Sequence, residues 1–208
     1  MSEKKKIIIT IARQYTGKKL AEDLGISFYD KNILRMNSDE SGIKESYFHL
    51  ADEKAGNRLL YKIINTLTPE KGAPSLGSDL ISADNLFRFQ SEVIRKLAAE
   101  ESCVIIGRCA DVILKDYHPL NLFIYADMEA KVERCIRRAP EGEHLTRNEI
   151  ERMIKQVDKN RAQYRQMYSD TKWGAKESYH LCVNTTEKYM KEIVPGLAAY
   201  VRCWFSEE

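Results

Sequence analysis

No stretch of this chain approaches the length of apolar sequence that crosses a membrane. The charged start, Met1 to Lys6, leads into an apolar run, Ile7 to Ala12, too short for a secretion-signal core, so the expected compartment is the cytoplasm. The five cysteines (Cys103, Cys109, Cys135, Cys182 and Cys203) are odd in number and never form a CxxC pair. That argues against a disulfide framework and a structural zinc site, and makes buried free thiols the expectation. Charge of one sign is also scarce: a formal net charge of +2 gives no reason to invoke nucleic acid. Linker-like tracts, internal repeats and low-complexity segments are missing as well, so one domain over 1–208 is expected.

What is present is ordinary globular material, 43% hydrophobic and 31% charged, enough for a packed core. Five short apolar runs read as strands buried on both faces: Ile7 to Ala12, Ile26 to Tyr29, Cys103 to Ile106, Leu122 to Tyr125 and Leu181 to Val183. Helical patterns separate them. Lys18 to Leu24 stops at Gly25, and Ser82 to Ala99 carries Leu86, Phe89, Val93 and Leu97 on one face. Strands alternating with helices imply right-handed crossovers, hence an α/β fold: three layers, a five-stranded parallel sheet with helices on both faces. Residues 38–79, with a helical middle from Tyr47 to Leu67 and a loop containing Pro69, Gly72, Pro74 and Gly77, read as an insertion over one end of the sheet.

Ligands of open α/β sheets gather outside the carboxyl ends of the strands. The residues following the apolar runs there are Asp30 and Lys31, the tract Gly107 to Asp111, Asp127, and Asn184 with Thr185 and Thr186. Loop or helix-cap duty is the alternative for each. Arg108 stands out, because it follows a buried strand and a glycine, where a guanidinium can hold a phosphate bidentately. A structural ion pair with Asp111 or Asp30 is the competing role.

The helix from Thr146 to Tyr168 has an inward stripe reading Ile150, Ile154, Val157, Arg161, Tyr164 and Tyr168. An arginine in an apolar face needs a partner, and Lys155, Asp158, Arg161 and Arg165 lie at three- and four-residue spacings. A surface Asp158–Arg161 pair is the competing reading. The segment from Lys131 to Arg165 carries ten Lys or Arg against six Asp or Glu. Lys131, Arg134, Arg137 and Arg138, the tip Pro140 to Glu143, and the following helix suggest a lid over 131–165, a charged closure suited to phosphoryl transfer. A solvated charged hairpin is the other possibility.

The tracts Ile8 to Tyr15, Phe28 to Lys31, Val104 to Asp111, Trp173-Gly174 and Leu181 to Thr185, in this order and spacing, resemble the cytidylate-kinase-like family over nearly the whole chain. That family is a branch of the P-loop nucleoside monophosphate kinases related to bacterial cytidylate kinase. The resemblance implies ATP, Mg²⁺ and a CMP or dCMP acceptor, with small-molecule nucleotides as partners and neither nucleic acid nor membrane. By position it makes Arg108, Arg134, Arg138 and Arg161 the catalytic candidates. Asp30, Lys31, Arg35, Phe87, Gln90, Asp111 and Asp158 are the acceptor-binding candidates, and Arg13, Tyr15, Gly17, Lys18, Asn184 and Thr185 border the ATP position. No metal ligand is assigned, Asp30 being only a candidate.

One departure from the family is large. Relatives place a glycine-rich loop between the tyrosine that ends the first tract and the first helix, whereas here Tyr15 runs into Thr16, Gly17, Lys18 and Lys19. Gly17-Lys18 imitates the end of a Walker A motif but belongs to the helix. Cradling phosphates takes a run of backbone N–H groups with glycine where φ is positive, and no such run exists. Two explanations stand: a shortened, nucleotide-incompetent chain, or a segment dropped between Tyr15 and Thr16, which the fit of both flanks favours. The competing functions are a lapsed binding or regulatory protein of the same fold and a kinase of another small acceptor.

Overall fold

The structure is a computed structural model and describes residues 6–12, 17–30, 83–139 and 145–206. Five strands, β1 (Ile8–Ile11), β2 (Ser27–Tyr29), β3 (Cys103–Ile106), β4 (Leu120–Tyr125) and β5 (Leu181–Asn184), form one parallel sheet in the order β2-β3-β1-β4-β5. The described residues also form six α-helices: α1 (Gly17–Leu24), α2 (Ala83–Glu100), α3 (Ala110–Ile113), α4 (Met128–Arg138), α5 (Arg147–Tyr168) and, after β5, α6 (Met190–Phe205).

Right-handed crossovers decide the layers. The chain moves one way across the sheet from β1 to β2 and the opposite way afterwards, so α1 lies on one face and α2 and α3 on the other. The two core clusters show this division. Ile8, Tyr29, Cys103 and Ile105 pack with Val93, Ile94 and Leu97 of α2 and with Ala110 and Ile113 of α3. Ile9, Ile11, Val104 and Ile106 pack with Leu20 and Ala21 of α1 and with Leu197, Ala198 and Val201 of α6. Alternate residues of β1 therefore serve opposite faces, which is why the strand is buried throughout and apolar at every position but Thr10.

The expected three-layer sheet is present, and β3 has the expected bounds. Strand β4 begins two residues early, at Leu120, because polar Asn121 is satisfied inside the sheet: its Oδ1 accepts from the Thr10 hydroxyl at 2.7 Å. The insertion expected over 38–79 lies outside the described residues. The cysteine expectation needs correction. All five are free, but Cys135 and Cys203 are exposed and only Cys103 and Cys109 are buried. Among the described residues no helix is long and apolar enough to cross a membrane.

Candidate functional site

Strand β1 sits between β3 and β4, and the chain crosses over it on the way from one to the other, so the carboxyl ends of these strands open on the crevice of the sheet. Strand β3 leaves the sheet there through three consecutive left-handed residues, Gly107 (φ 71°), Arg108 (φ 55°) and Cys109 (φ 53°). Glycine adopts this conformation freely, whereas Arg108 and Cys109 each carry a cost of about 1–2 kcal/mol. The turn is pinned at both ends: Gly107 N donates to Ile11 O at 2.9 Å, and Ala110 N donates to Gly107 O at 3.0 Å.

The Arg108 side chain emerges against α5. Its guanidinium carbon lies 5.7 Å from the centre of the Tyr164 ring. Its Nε is buried and has no hydrogen-bond partner among the described residues. Gln90 of α2 is buried, with Oε1 3.5 Å from the Tyr164 hydroxyl, and Phe87 stacks on Tyr168 at 3.7 Å with the rings 5° from parallel. Burial pushes the Tyr164 phenol up to about 12 against the opposing charge of Arg108, so it stays protonated at neutral pH. Arg108, Phe87 and Gln90, singled out separately in the sequence, thus converge beside a tyrosine platform.

Asp158 accepts from Lys131 Nζ at 2.8 Å and from Arg161 Nη1 at 2.9 Å, all three half-buried, which joins α4 to α5. Arg147 adds a second clasp through Glu133 at 2.5 Å and Glu129. Beyond these contacts the inward stripe requires a correction. Val157 is 45% exposed, and the deeply buried cation is Arg165 rather than Arg161. Arg165 Nη1 donates to Asp111 Oδ2 at 2.7 Å, Nε to Thr171 O at 3.1 Å, and Nη2 to Thr171 Oγ1 at 2.7 Å. Burial pulls the Arg165 guanidinium down, but the hydrogen bond and charge of Asp111 outweigh it and hold it above its ordinary value. Asp111, expected at the acceptor, is thereby occupied by an ion pair inside the fold. Nothing in the spacing marked Arg165 off from Arg161. Its only signal was its place one turn further along the stripe.

At the other edge, Arg134 donates to Thr185 Oγ1 at 3.1 Å, to Lys188 O at 3.2 Å and to Thr185 O, while Thr185 itself is buried and donates to Tyr125 O at 2.9 Å. Burial, with Arg138 and Arg137 nearby, lowers the Arg134 pKa. This arginine holds the loop after β5. Asp127 caps α4 by accepting from Ala130 N at 2.8 Å. Between them an open hollow of about 580 Å³ is lined by Tyr125, Asp127, Asn184, Thr186 and Lys188 among others. Arg138 is exposed at the end of α4. Asp30 follows β2, at the opposite edge of the sheet, whereas Arg13, Tyr15, Lys31 and Arg35 lie outside the described residues.

A triphosphate cradle at the start of α1 would have to be built from 12–16, which contain no glycine, and Gly17. Gly17 is committed elsewhere: a Cβ on it would run into Ile106 Cδ1 and stand 2.8 Å from Phe28 Cε2, so this glycine lets α1 press onto β2 and β3. Lys18 follows it as an exposed helical residue. Among the described residues no group of three His, Cys, Asp or Glu could hold a metal.

A parallel sheet in the order β2-β3-β1-β4-β5 with helices on both faces is the P-loop kinase fold, although the loop behind that name is missing from this sequence. The chain belongs to the cytidylate kinase-like family, whose model matches residues 8–187. It is similar to a solved structure, an uncharacterized protein from Eubacterium ventriosum ATCC 27560, with 25% identity and TM-score 0.65, over 96% of this chain and 99% of that one. The shikimate kinase of Bacteroides thetaiotaomicron shares the fold at 14% identity and TM-score 0.50, over 94% of this chain and 98% of that one. No curated protein matches.

Proposed function

We infer that this chain serves as a phosphotransferase of small nucleotides whose acceptor is CMP or dCMP and whose donor is ATP with Mg²⁺. The observation that carries the reading is Arg108, held on a left-handed turn at the end of β3 with a buried Nε that has no hydrogen-bond partner among the described residues. Such a guanidinium binds a phosphate through charge-assisted hydrogen bonds. Gln90 and Phe87 stand on the same side of the site as Tyr164 and offer an amide edge and a ring to a pyrimidine. Asn184, on the hollow after β5, offers an amide to a second base. Arg134, Arg138 and Arg161 supply positive potential along α4 and α5. The free thiols suit a reducing compartment, the cytoplasm.

The lack of a glycine-rich run between β1 and α1 favours a second reading, a protein that binds the monophosphate without transferring to it. A panel of nucleoside monophosphates with radiolabelled ATP, run beside calorimetric titration, separates the two. Transfer to CMP supports the kinase; CMP binding without transfer supports the binding protein; transfer only to a different small molecule moves the acceptor. No binding of CMP or dCMP sinks both nucleotide readings. The native protein's mass checks the β1–α1 connection, since a segment between Tyr15 and Thr16 makes it heavier than 24.1 kDa.

A further inference from the structure

Two of the three residues in the turn that presents Arg108, Arg108 itself and Cys109, resist its conformation, so something outside it must hold it in place. Two consecutive residues of α5 touch it. Tyr164 lies under the Arg108 guanidinium, and Arg165 binds Asp111, two residues past the left-handed run, in the first turn of α3. The side chains of Arg165 and Asp111 are 5% and 12% exposed, so neither charge has water as a ready alternative partner. The remaining donors of Arg165 close on Thr171, and its guanidinium carbon lies 5.6 Å from the centre of the Tyr179 ring. The joint therefore locks three segments together: the exit of β3, the end of α5 and the stretch that leads to β5. A slip of α5 that broke the pair would also withdraw Tyr164 from Arg108.

We propose that Arg165, acting through Asp111, is a positioning residue that keeps the Gly107–Cys109 turn left-handed and Arg108 aimed at the phosphate of a bound nucleoside monophosphate. The inference rests on the phosphate role assigned to Arg108 above. It also gives α5 a second duty. The helix that carries Asp158 and Arg161 at its middle, tied to α4 through Lys131, sets the acceptor-phosphate arginine at its end, so displacement of α5 and loss of phosphate affinity occur together.

The test compares CMP with cytidine, which lacks the phosphate, by calorimetric titration of the full chain and of Arg165→Met, Arg165→Lys, Asp111→Asn and Arg108→Ala/Arg165→Met. Arg165→Met lowers CMP affinity by about tenfold or more and leaves cytidine affinity nearly unchanged. Arg165→Lys recovers only part of the loss, because an ammonium restores the charge but not the fork. The double variant falls no further than Arg108→Ala alone, since both changes remove one interaction. Amide exchange at Ala110 accelerates in Arg165→Met. Should that variant not fold, Asp111→Asn, which keeps the shape, carries the same comparison. A folded Arg165→Met with the wild-type ratio of CMP to cytidine affinity overturns the proposal, as does an equal loss of both ligands. Wild-type protein that binds CMP no better than cytidine overturns it together with the phosphate role of Arg108.

Discussion

Replacing Arg108 with alanine and, separately, with glycine divides its work into binding and strain. The guanidinium offers charge-assisted hydrogen bonds worth about 1.5–3 kcal/mol, so either replacement should weaken CMP binding by roughly 10- to 100-fold. Cytidine, without a phosphate, should bind as before. Stability should separate the two variants instead. Both lose the stacking of the guanidinium on Tyr164, a contact worth about 0.5–1 kcal/mol. Only glycine relieves φ 55°, where an L side chain costs about 1–2 kcal/mol. Part of that relief is offset, because glycine also frees the unfolded chain by about 0.4–1 kcal/mol. The net expectation is Arg108→Gly more stable than Arg108→Ala by about 1 kcal/mol, read from urea midpoints at a common m-value. Alanine and glycine variants of equal stability would refute the strain assigned to this turn, and an alanine variant with wild-type CMP affinity would refute its phosphate role.

Other perturbations reach other parts of the account. Gly17→Ala places a methyl against Ile106 and Phe28 and should destabilise the protein by about 1–3 kcal/mol in chemical unfolding, because α1 must lift from the sheet. A thiol reagent should label Cys135 and Cys203 rapidly in the native protein and Cys103 and Cys109 only on unfolding; rapid native labelling of the latter pair would contradict their placement in the core. Burial raises the Cys109 thiol to about 11, and a thiol that ionises at about 9 when unfolded therefore stabilises the fold fully below pH 9. That contribution should fade between about pH 9 and 11 in pH-dependent urea unfolding, and Cys109→Ala should flatten the slope there.

The layers of the fold were legible in the sequence, because strands buried on both faces are largely apolar, and Cys103 to Ile106 and, apart from Thr10, Ile8 to Ile11 are. The start of β4 was hidden by Asn121, a polar residue whose partner, Thr10, comes from a strand far away in sequence. Sheet order could not be read, since no periodicity records which strand is crossed. At the site, the glycine before Arg108 gave away the strand-end turn, but the tyrosine that supports the guanidinium looked like one more apolar position of α5. The stripe on that helix misled for a physical reason. Its first turns pack on α4, leaving Val157 outside, while its last turns lie against α3 and the stretch around Thr171, which turns Arg165 inward. Asp127 and Thr185 proved to be a helix cap and a buried loop anchor, the roles such residues most often fill.

The most direct measurement is a crystal structure of the full chain with CMP. A phosphate oxygen within about 2.7–2.9 Å of the Arg108 guanidinium, with the cytosine toward Phe87 and Gln90, is the result expected here. A phosphate seated away from Arg108, for instance in the hollow beside Asn184 and Lys188, would contradict the assignment of this turn as the acceptor-phosphate site.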